Sequence, residues 1–341
     1  MNNENGTLSP VGPISVVLTV HDQADALRRN LPVLLEQHYE PGYEVIVVDE
    51  SSSDETADVL KHLVVEHAPI LYSTYIPASS HYVSRKKLAL TVGIKAAHYE
   101  WVILTEADCH PETQEWLTSM ANNMNNDIDL VCGYTGYEQG TKGGQSYRRL
   151  YNFNRQKSQP YRYDGANIAI RKSTFMKRNG FLKNLKYLRG EYEFLVNETE
   201  PKRIAVAMDS DSRMRQEPPT DRNWTSSQLY YMQIRSHLSR TFLPRLRAAM
   251  YHGTLHLFYL AFITSAVFFL SVSMPIYAAC SFTALMLFFC LHAFLCHRRQ
   301  KVFGEHIAIV KLPFLELAIP WQFAYYRLRY LLADKYDYTR K

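Results

Sequence analysis

An α/β domain with a mostly parallel sheet, followed by a pair of membrane-crossing helices, is the fold class this sequence predicts, on three observations. From Ile14 onward, short β-branched runs alternate with helical patterns, the signature of parallel strands covered by helices. Those runs end in polar residues, which puts Asp49, Glu50, Glu106 and Asp108 at the carboxyl ends of strands, where open α/β sheets bind ligands. Near the C-terminus, residues 254–274 and 275–296 contain no Asp, Glu, Lys or Arg, and each run is long enough to cross about 30 Å of hydrocarbon as a helix.

The elements follow in order. "ISVVLTV" reads as a buried strand and "ALRRNLPVLLEQ" as the helix after it; "EVIVVDE" is the second strand, and Asp54 caps the helix "ETADVLKHLVVEH". "ILYSTYI", the helix "SRKKLALTVGIKAA" and the strand "WVILTEAD" continue the pattern. Side chains alternate along a strand, so Glu106 and Asp108 share a face and their carboxylates converge, which calls for a positive charge between them. After "IDLVCGYTGY" the alternation stops. Residues 147–162 read as an amphipathic helix rich in Tyr and Arg, "YDGANIAIRKSTFMKRNGF" as a turn, strand and helix, and "LRGEYEFLVNE" brings two further acids.

The net charge of +5 is mild, but several arginines gather between Arg213 and Arg247, just ahead of the apolar runs. That local clustering points to membrane lipids, and no nucleic-acid partner is expected. Five cysteines, an odd number without C-x-x-C spacing, read as free thiols in a reducing compartment. The polar start "MNNENGTLSPVGP" lacks a charged-then-apolar leader pattern. Arg240, Arg245 and Arg247 precede the apolar hairpin and Arg298, Arg299 and Lys301 follow it, so the positive-inside rule puts both flanks in the cytoplasm. His292, inside the second span, reads as a hydrogen-bonded structural group. The last apolar stretch is broken by Lys311, Pro313, Glu316 and Pro320, which suits a helix lying at the membrane surface.

Five stretches in order, "VVVDESSSDET" (its first residue standing as Ile46 here), "SRKKLALTVGIKAA", "LTEADCHP", "GANIAIRKSTF" and "GEYEFLVNE", resemble the family 2 glycosyltransferases with the GT-A nucleotide-sugar fold, over about residues 14–197. The organisation this implies is a flexible N-terminus (1–13), a glycosyltransferase domain (14–225), a basic membrane-proximal segment (226–253), two transmembrane helices (254–296) and a cytoplasmic or interfacial tail (297–341).

The resemblance also implies roles. A nucleoside-diphosphate leaving group gains charge as the sugar departs, and a divalent cation on its phosphates stabilises that charge. The family's D-x-D stands here as Glu106-Ala107-Asp108, which implies Asp108 and Glu106 as ligands of Mg²⁺ or Mn²⁺; two acids without a His or Cys pair argue against zinc. Thr19, Asp49 and Glu50 fall where the nucleoside is read, and an acidic oxygen accepting the uracil N3–H makes a UDP-sugar plausible. Lys86 or Lys87 is implied near the diphosphate, with one of the two a solvated surface charge. An inverting transfer needs a base for the acceptor hydroxyl. Glu191 is the implied base, Glu193 the runner-up, and Tyr192 takes a place often held by a second acid. Asp164, Gly165, Ala166 and Asn167 are implied against sugar or acceptor. Gln233, Arg235 and His237 lie where processive members carry Q-x-x-R-W; Ser236 replaces its arginine, which argues against processive synthesis.

The expected activity is transfer of a sugar from a nucleotide donor to a lipid-linked or nascent glycan acceptor at the cytoplasmic face of the inner membrane. Glu106, Tyr192 and Ser236 leave open a second reading, a family member that binds donor or partner as a membrane scaffold. A nucleotidyltransferase or NAD-binding enzyme is disfavoured, because "TVHDQADAL" after the first strand carries no glycine.

Overall fold

The computed structural model describes residues 11–77, 84–155, 163, 165–239 and 241–333. Seven elements build the first half: β1 (Ile14–Val20), α1 (Ala24–Leu35), β2 (Tyr43–Asp49), α2 (Thr56–Glu66), β3 (Leu71–Tyr75), α3 (Arg85–Ala96) and β4 (Trp101–Glu106). All seven residues of β1 are buried, as its unbroken apolar and β-branched run requires of a strand covered on both faces. α1 turns Leu27, Leu31 and Leu34 inward at helical spacing. Asp54 ties two helix starts together: its Oδ1 accepts from the Thr56 amide at 3.0 Å and its Oδ2 from the Ala24 amide at 3.1 Å. α3 lies so close to the sheet that a Cβ on Gly93 would come within 2.4 Å of Val17, so only glycine fits there.

The second half adds β5 (Cys109–Pro111), α4 (Trp116–Ala121), β6 (Leu130–Cys132), β7 (Thr135–Tyr137), α5 (Gly143–Asn154), β8 (Ile168–Arg171), α6 (Lys172–Lys177), α7 (Glu191–Glu198), β9 (Ile204–Val206), β10 (Met214–Gln216) and α8 (Asp221–Ile234). One sheet runs β3-β2-β1-β4-β8-β6-β9, and a small second sheet runs β5-β10-β7. β3, β2, β1 and β4 are parallel, while β8 runs antiparallel to both β4 and β6. The strand order reverses between β1 and β4, and the crevice beyond their carboxyl ends is where such sheets bind ligands. The register sets Thr19 beside both Val48 and Glu106, and Val20 beside Asp49.

Three long helices complete the chain: α9 (Phe242–Ser271), α10 (Pro275–Val302) and α11 (Leu312–Leu332). α9 and α10 are apolar and long enough to cross a membrane, and their flanks are mostly exposed Phe, Leu and Ile. α9 starts well before the charge-free run, because hydropathy marks the span whereas the helix continues through Arg245 and Arg247. His292 is hydrogen-bonded, to Tyr259 and to Glu316.

The segment after α10 is not a detached tail. Phe303, Ile307 and Leu312 belong to the same apolar core as β1 and β4, and the Phe303 ring packs 4.9 Å from that of Tyr134. Glu316 corrects the expectation of an acid facing the membrane surface, since it is fully buried. Its carboxylate accepts from Arg299 (2.8 Å), Cys296 (2.8 Å), Tyr251 (2.9 Å), Tyr147 (3.1 Å) and His292 (3.1 Å). α5, α9, α10 and α11 thus meet on one carboxylate. Pro313 stands in the first turn of α11, where its missing N–H leaves no bond unmade.

Removing one partner of a buried ion pair leaves the other charge uncompensated, at a cost of about 3–5 kcal/mol. Glu316→Ala should therefore lower the melting temperature of the detergent-solubilised chain markedly, and Glu316→Gln should lower it less, because the amide oxygen still accepts hydrogen bonds. Equal melting of wild type and Glu316→Ala would refute the role of this hub.

Candidate active site

The crevice beyond β1, β2 and β4 is built from strand ends and two loops. At the end of β2, Asp49 is buried, and its Oδ1 accepts from the Ser52 amide (2.9 Å) and hydroxyl (2.6 Å). Its Oδ2 has no such partner among the described residues. Glu50 is half-buried, and the Arg85 guanidinium donates to its carbonyl. Thr19 is buried between the two strand ends.

Of the two strand-end acids, only Glu106 receives its positive charge from within. Lys86, at the start of α3, sets its ammonium 2.5 Å from Glu106 Oε1 and 3.5 Å from Glu191 Oε1. Burial works against that charge, but Glu106 and Glu191 outweigh it and hold the ammonium above the usual lysine range. The Tyr192 ring lies beneath the same ammonium, 5.4 Å away at its centroid. Glu191 opens α7 directly after Gly190, whose φ of +94° suits glycine. A side chain at position 190 would also strike Ile234 at 2.6 Å. Glu191 Oε1 lies 3.9 Å from Arg189, and its buried Oε2 has no hydrogen-bond partner among the described residues. Glu193, two residues on, is turned about 200° around the helix, off the face that Glu191 presents.

Lys87 does something different. It is fully buried, and its ammonium donates to the carbonyls of Asn184 (3.1 Å), Tyr187 (2.5 Å) and Arg189 (3.0 Å). All three donors are used, so Lys87 clamps the loop that delivers Glu191, and neither lysine is the surface charge expected. Burial lowers its pKa to about 8. Ser84, which caps α3, donates to the Leu188 carbonyl of the same loop at 2.9 Å.

Asp108 sits in the turn after β4, held by the Gln216 amide at 3.0 Å and the Cys109 thiol at 3.4 Å. No cation pairs with it among the described residues. Burial and then the Glu106 charge push its carboxyl up to about 6. An oxygen-only group in want of positive charge fits a divalent ion such as Mg²⁺ or Mn²⁺. Glu106 already holds an ammonium, so Asp108 is the principal ligand these residues offer. His292, Cys296 and Glu316 also lie close enough to hold a metal, but the Arg299 charge on that carboxylate favours a packing network.

The acceptor residues proposed from sequence separate. Asn167 is fully buried and spent on structure: its amide donates to Ser212 (2.7 Å) and Tyr134 (3.2 Å), and its oxygen accepts from Trp116 (3.2 Å). That corrects its assignment to the sugar. Gly165 and Ala166 are buried, Gly165 against Tyr163 and Thr135, and Asp164 lies outside the described residues. Arg235 covers the Phe323 ring at 4.3 Å, His237 packs on Tyr187 at 4.7 Å, and Gln233 keeps a buried oxygen without a partner among the described residues. Sequence reasoning missed Arg189, Gln216 and Arg149, which donates to Gln216 at 2.6 Å. Only Arg189 carried a signal, its place beside Gly190.

A family model described as glycosyl transferase family 2 matches residues 15–184. No curated protein sequence matches the chain. Among solved structures, the mannosyltransferase PcManGT from Pyrobaculum calidifontis, in complex with GDP-Man and Mn²⁺, is similar at 14% identity with a TM-score of 0.51, covering 94% of this chain and 90% of that one. S. aureus TarS 1–349 in complex with UDP-GlcNAc is similar at 16% identity and a TM-score of 0.47, covering 65% of each chain.

Two outcomes follow. Because the native state binds the Asp108 proton more tightly than the unfolded chain, stability falls as pH rises from the usual carboxylate range to about 6 and stays lowered above that. Asp108→Asn should thus melt higher than wild type at pH 7.5 without added metal, with the gap closing near pH 4. Mn²⁺ should raise the melting temperature of wild type and leave the variant unmoved. Lys87→Met strands three carbonyls, at roughly 1–3 kcal/mol for each left buried, so it should melt well below wild type in the same assay.

Proposed function

Since the chain belongs to glycosyl transferase family 2 and has a GT-A-like α/β fold, we propose that it moves one sugar, with inversion, from a nucleoside-diphosphate donor to a lipid-linked or nascent glycan acceptor. The observation that carries this reading is the Lys86 ammonium between Glu106 and Glu191, which brings the strand-end acid and the base to one point. Glu191 Oε2 takes the proton of the acceptor hydroxyl as the new C–O bond forms at the anomeric carbon and the bond to the diphosphate breaks. Arg189 and Lys86 steady that carboxylate and face the developing negative charge. A divalent ion held by Asp108 supplies further charge stabilisation to the leaving group when bound.

Asp49 reads the nucleoside, with Oδ2 offered to the N3–H of uracil, so a UDP-sugar is the favoured donor. Arg245 and Arg247 before the apolar runs and Arg298 and Lys301 after them support a cytoplasmic catalytic domain at the inner membrane. Arg299 counts less toward that orientation, because Glu316 neutralises it.

Detergent-purified chain incubated with UDP-sugars and GDP-Man, with Mn²⁺ or Mg²⁺ or neither, should release nucleoside diphosphate from one donor and only with metal. Binding of a donor without turnover under every acceptor condition would favour the scaffold reading instead. Glu191→Gln should lose about 10²–10⁴-fold in turnover with donor affinity kept, as loss of a general base does, whereas Glu193→Gln should stay within a few-fold of wild type. The reverse ranking would move the base to Glu193.

A further inference from the structure

Asp108, the acid best placed to hold a divalent ion, is gripped by residues far along the chain. Its Oδ2 and Oδ1 accept from the Gln216 amide (3.0 and 3.2 Å), and its carbonyl accepts from the Glu217 backbone amide (3.0 Å). One residue earlier, the Ala107 carbonyl accepts from Asn30 at 2.9 Å, and Asn30 also donates to Glu217 at 3.2 Å. The turn that carries Asp108 is therefore shaped by β10 and the residue after it. Arg149 donates to Gln216 Oε1 at 2.6 Å, which leaves only the Nε2 end of that amide to face Asp108.

β10 has three residues, and successive side chains leave a strand on opposite sides. Gln216 meets Asp108, and Met214 is fully buried with its sulfur 3.7 Å from the Thr105 hydroxyl of β4. Arg215, like Arg213 just before the strand, reaches instead to the segment that leaves α10. Arg213 donates to the Val302 carbonyl (2.8 Å), and Arg215 donates to the Gly304 carbonyl (2.7 Å) and to Glu305 Oε1 (2.8 Å). Glu305 is 6% exposed, and the same oxygen accepts from Tyr134 at 2.8 Å. Glu112, which follows β5, pairs with Arg215 as well. The fit is tight: a Cβ on Gly136, opposite Arg215 on β7, would come within 2.2 Å of the Arg215 Nη1 and 2.4 Å of Glu305 Oε1.

We propose that Glu305 is a positioning residue for the metal-binding carboxylate: it sets Arg215, Arg215 sets β10, and Gln216 on the other side of β10 sets Asp108. The segment leaving the second apolar helix thus completes a site that lies in the α/β domain. Ladders of three residues on each side are short, so the arginine contacts at 213 and 215 carry much of what holds β10 in place. Without Glu305, the Arg215 guanidinium is drawn toward Glu112 and takes the strand with it. The proposal rests on the reading of Asp108 as a metal ligand given above, and it is independent of which sugar or acceptor is used.

The test is binding of Mn²⁺ alone to the full chain in neutral detergent, followed by loss of the free-ion electron paramagnetic resonance signal, with melting temperatures taken on the same samples. Hydrogen-bond partners of a ligating group are worth roughly 10–100-fold in metal affinity, so Gln216→Leu should lose that much and Glu305→Ala, one step removed, about fivefold or more. Glu305→Gln, whose amide oxygen still accepts from Tyr134 and Arg215, should recover most of the loss. Glu316→Ala is the control: it also removes a buried acid and loosens the fold, but it lies off this path and should bind Mn²⁺ as wild type does. Unchanged affinity in Glu305→Ala, or an equal loss in Glu316→Ala, overturns the proposal. Equal losses in Glu305→Gln and Glu305→Ala also overturn it, because they mark an effect of charge and not of position. If Asp108→Asn binds Mn²⁺ as wild type does, the reading of Asp108 as the metal ligand falls and this proposal with it. If Asp108→Asn loses the ion while Glu305→Ala keeps it, this proposal alone falls.

Discussion

The site depends on one ammonium placed between two carboxylates. A parallel sheet that ends its strands in acids gathers negative charge in a crevice screened from water, where like charges repel strongly. Lys86 answers that by bridging Glu106 at 2.5 Å and Glu191 at 3.5 Å. The next residue along α3, Lys87, uses its own ammonium on three carbonyls of the loop before Glu191. Two successive side chains, about 100° apart on one helix, thus fix both the backbone and the carboxylate of that loop against the strand ends. Hydrogen bonds from a charged donor are worth about 1.5–3 kcal/mol each, enough to hold a loop that no strand pairing constrains.

Where periodicity alone specifies structure, the sequence was a sufficient guide. β1, β2 and β4 were legible because covered parallel strands need unbroken apolar runs. The acids at 49, 106, 108 and 191 were legible because the order of the motifs sets them at strand and helix ends. The partition between Lys86 and Lys87 was not, since only tertiary packing decides which side of α3 meets the loop. Asn167 misled for a related reason: a small-residue motif signals a close approach of backbone but not whether ligand or protein makes it, and here Trp116, Tyr134 and Ser212 do. Gln216 and Arg149 gave no local sign, because Gln216 reaches Asp108, and Arg149 reaches Gln216, from distant segments.

The C-terminal region shows the same divide. Hydropathy located the apolar runs but not the helices that contain them, and Lys311, Pro313 and Glu316 looked like interruptions when read along the chain. In three dimensions Glu316 is the point where four helices join, and a charged residue in an apolar stretch marks a buried partner as readily as a water-facing one. Glu305 repeats the device on a smaller scale, accepting from Tyr134 and Arg215 at 2.8 Å each and so fastening the segment after α10 to the small sheet.

Contacts at Glu316, Glu305 and Phe303 fasten the paired long helices to the α/β domain. With those helices in a bilayer, the crevice would ride over the lipid surface at a fixed height and tilt, like a stylus on a rigid arm. Reach then becomes a property of the mount: a group one set distance above the lipid plane is in range, and one held farther out is not.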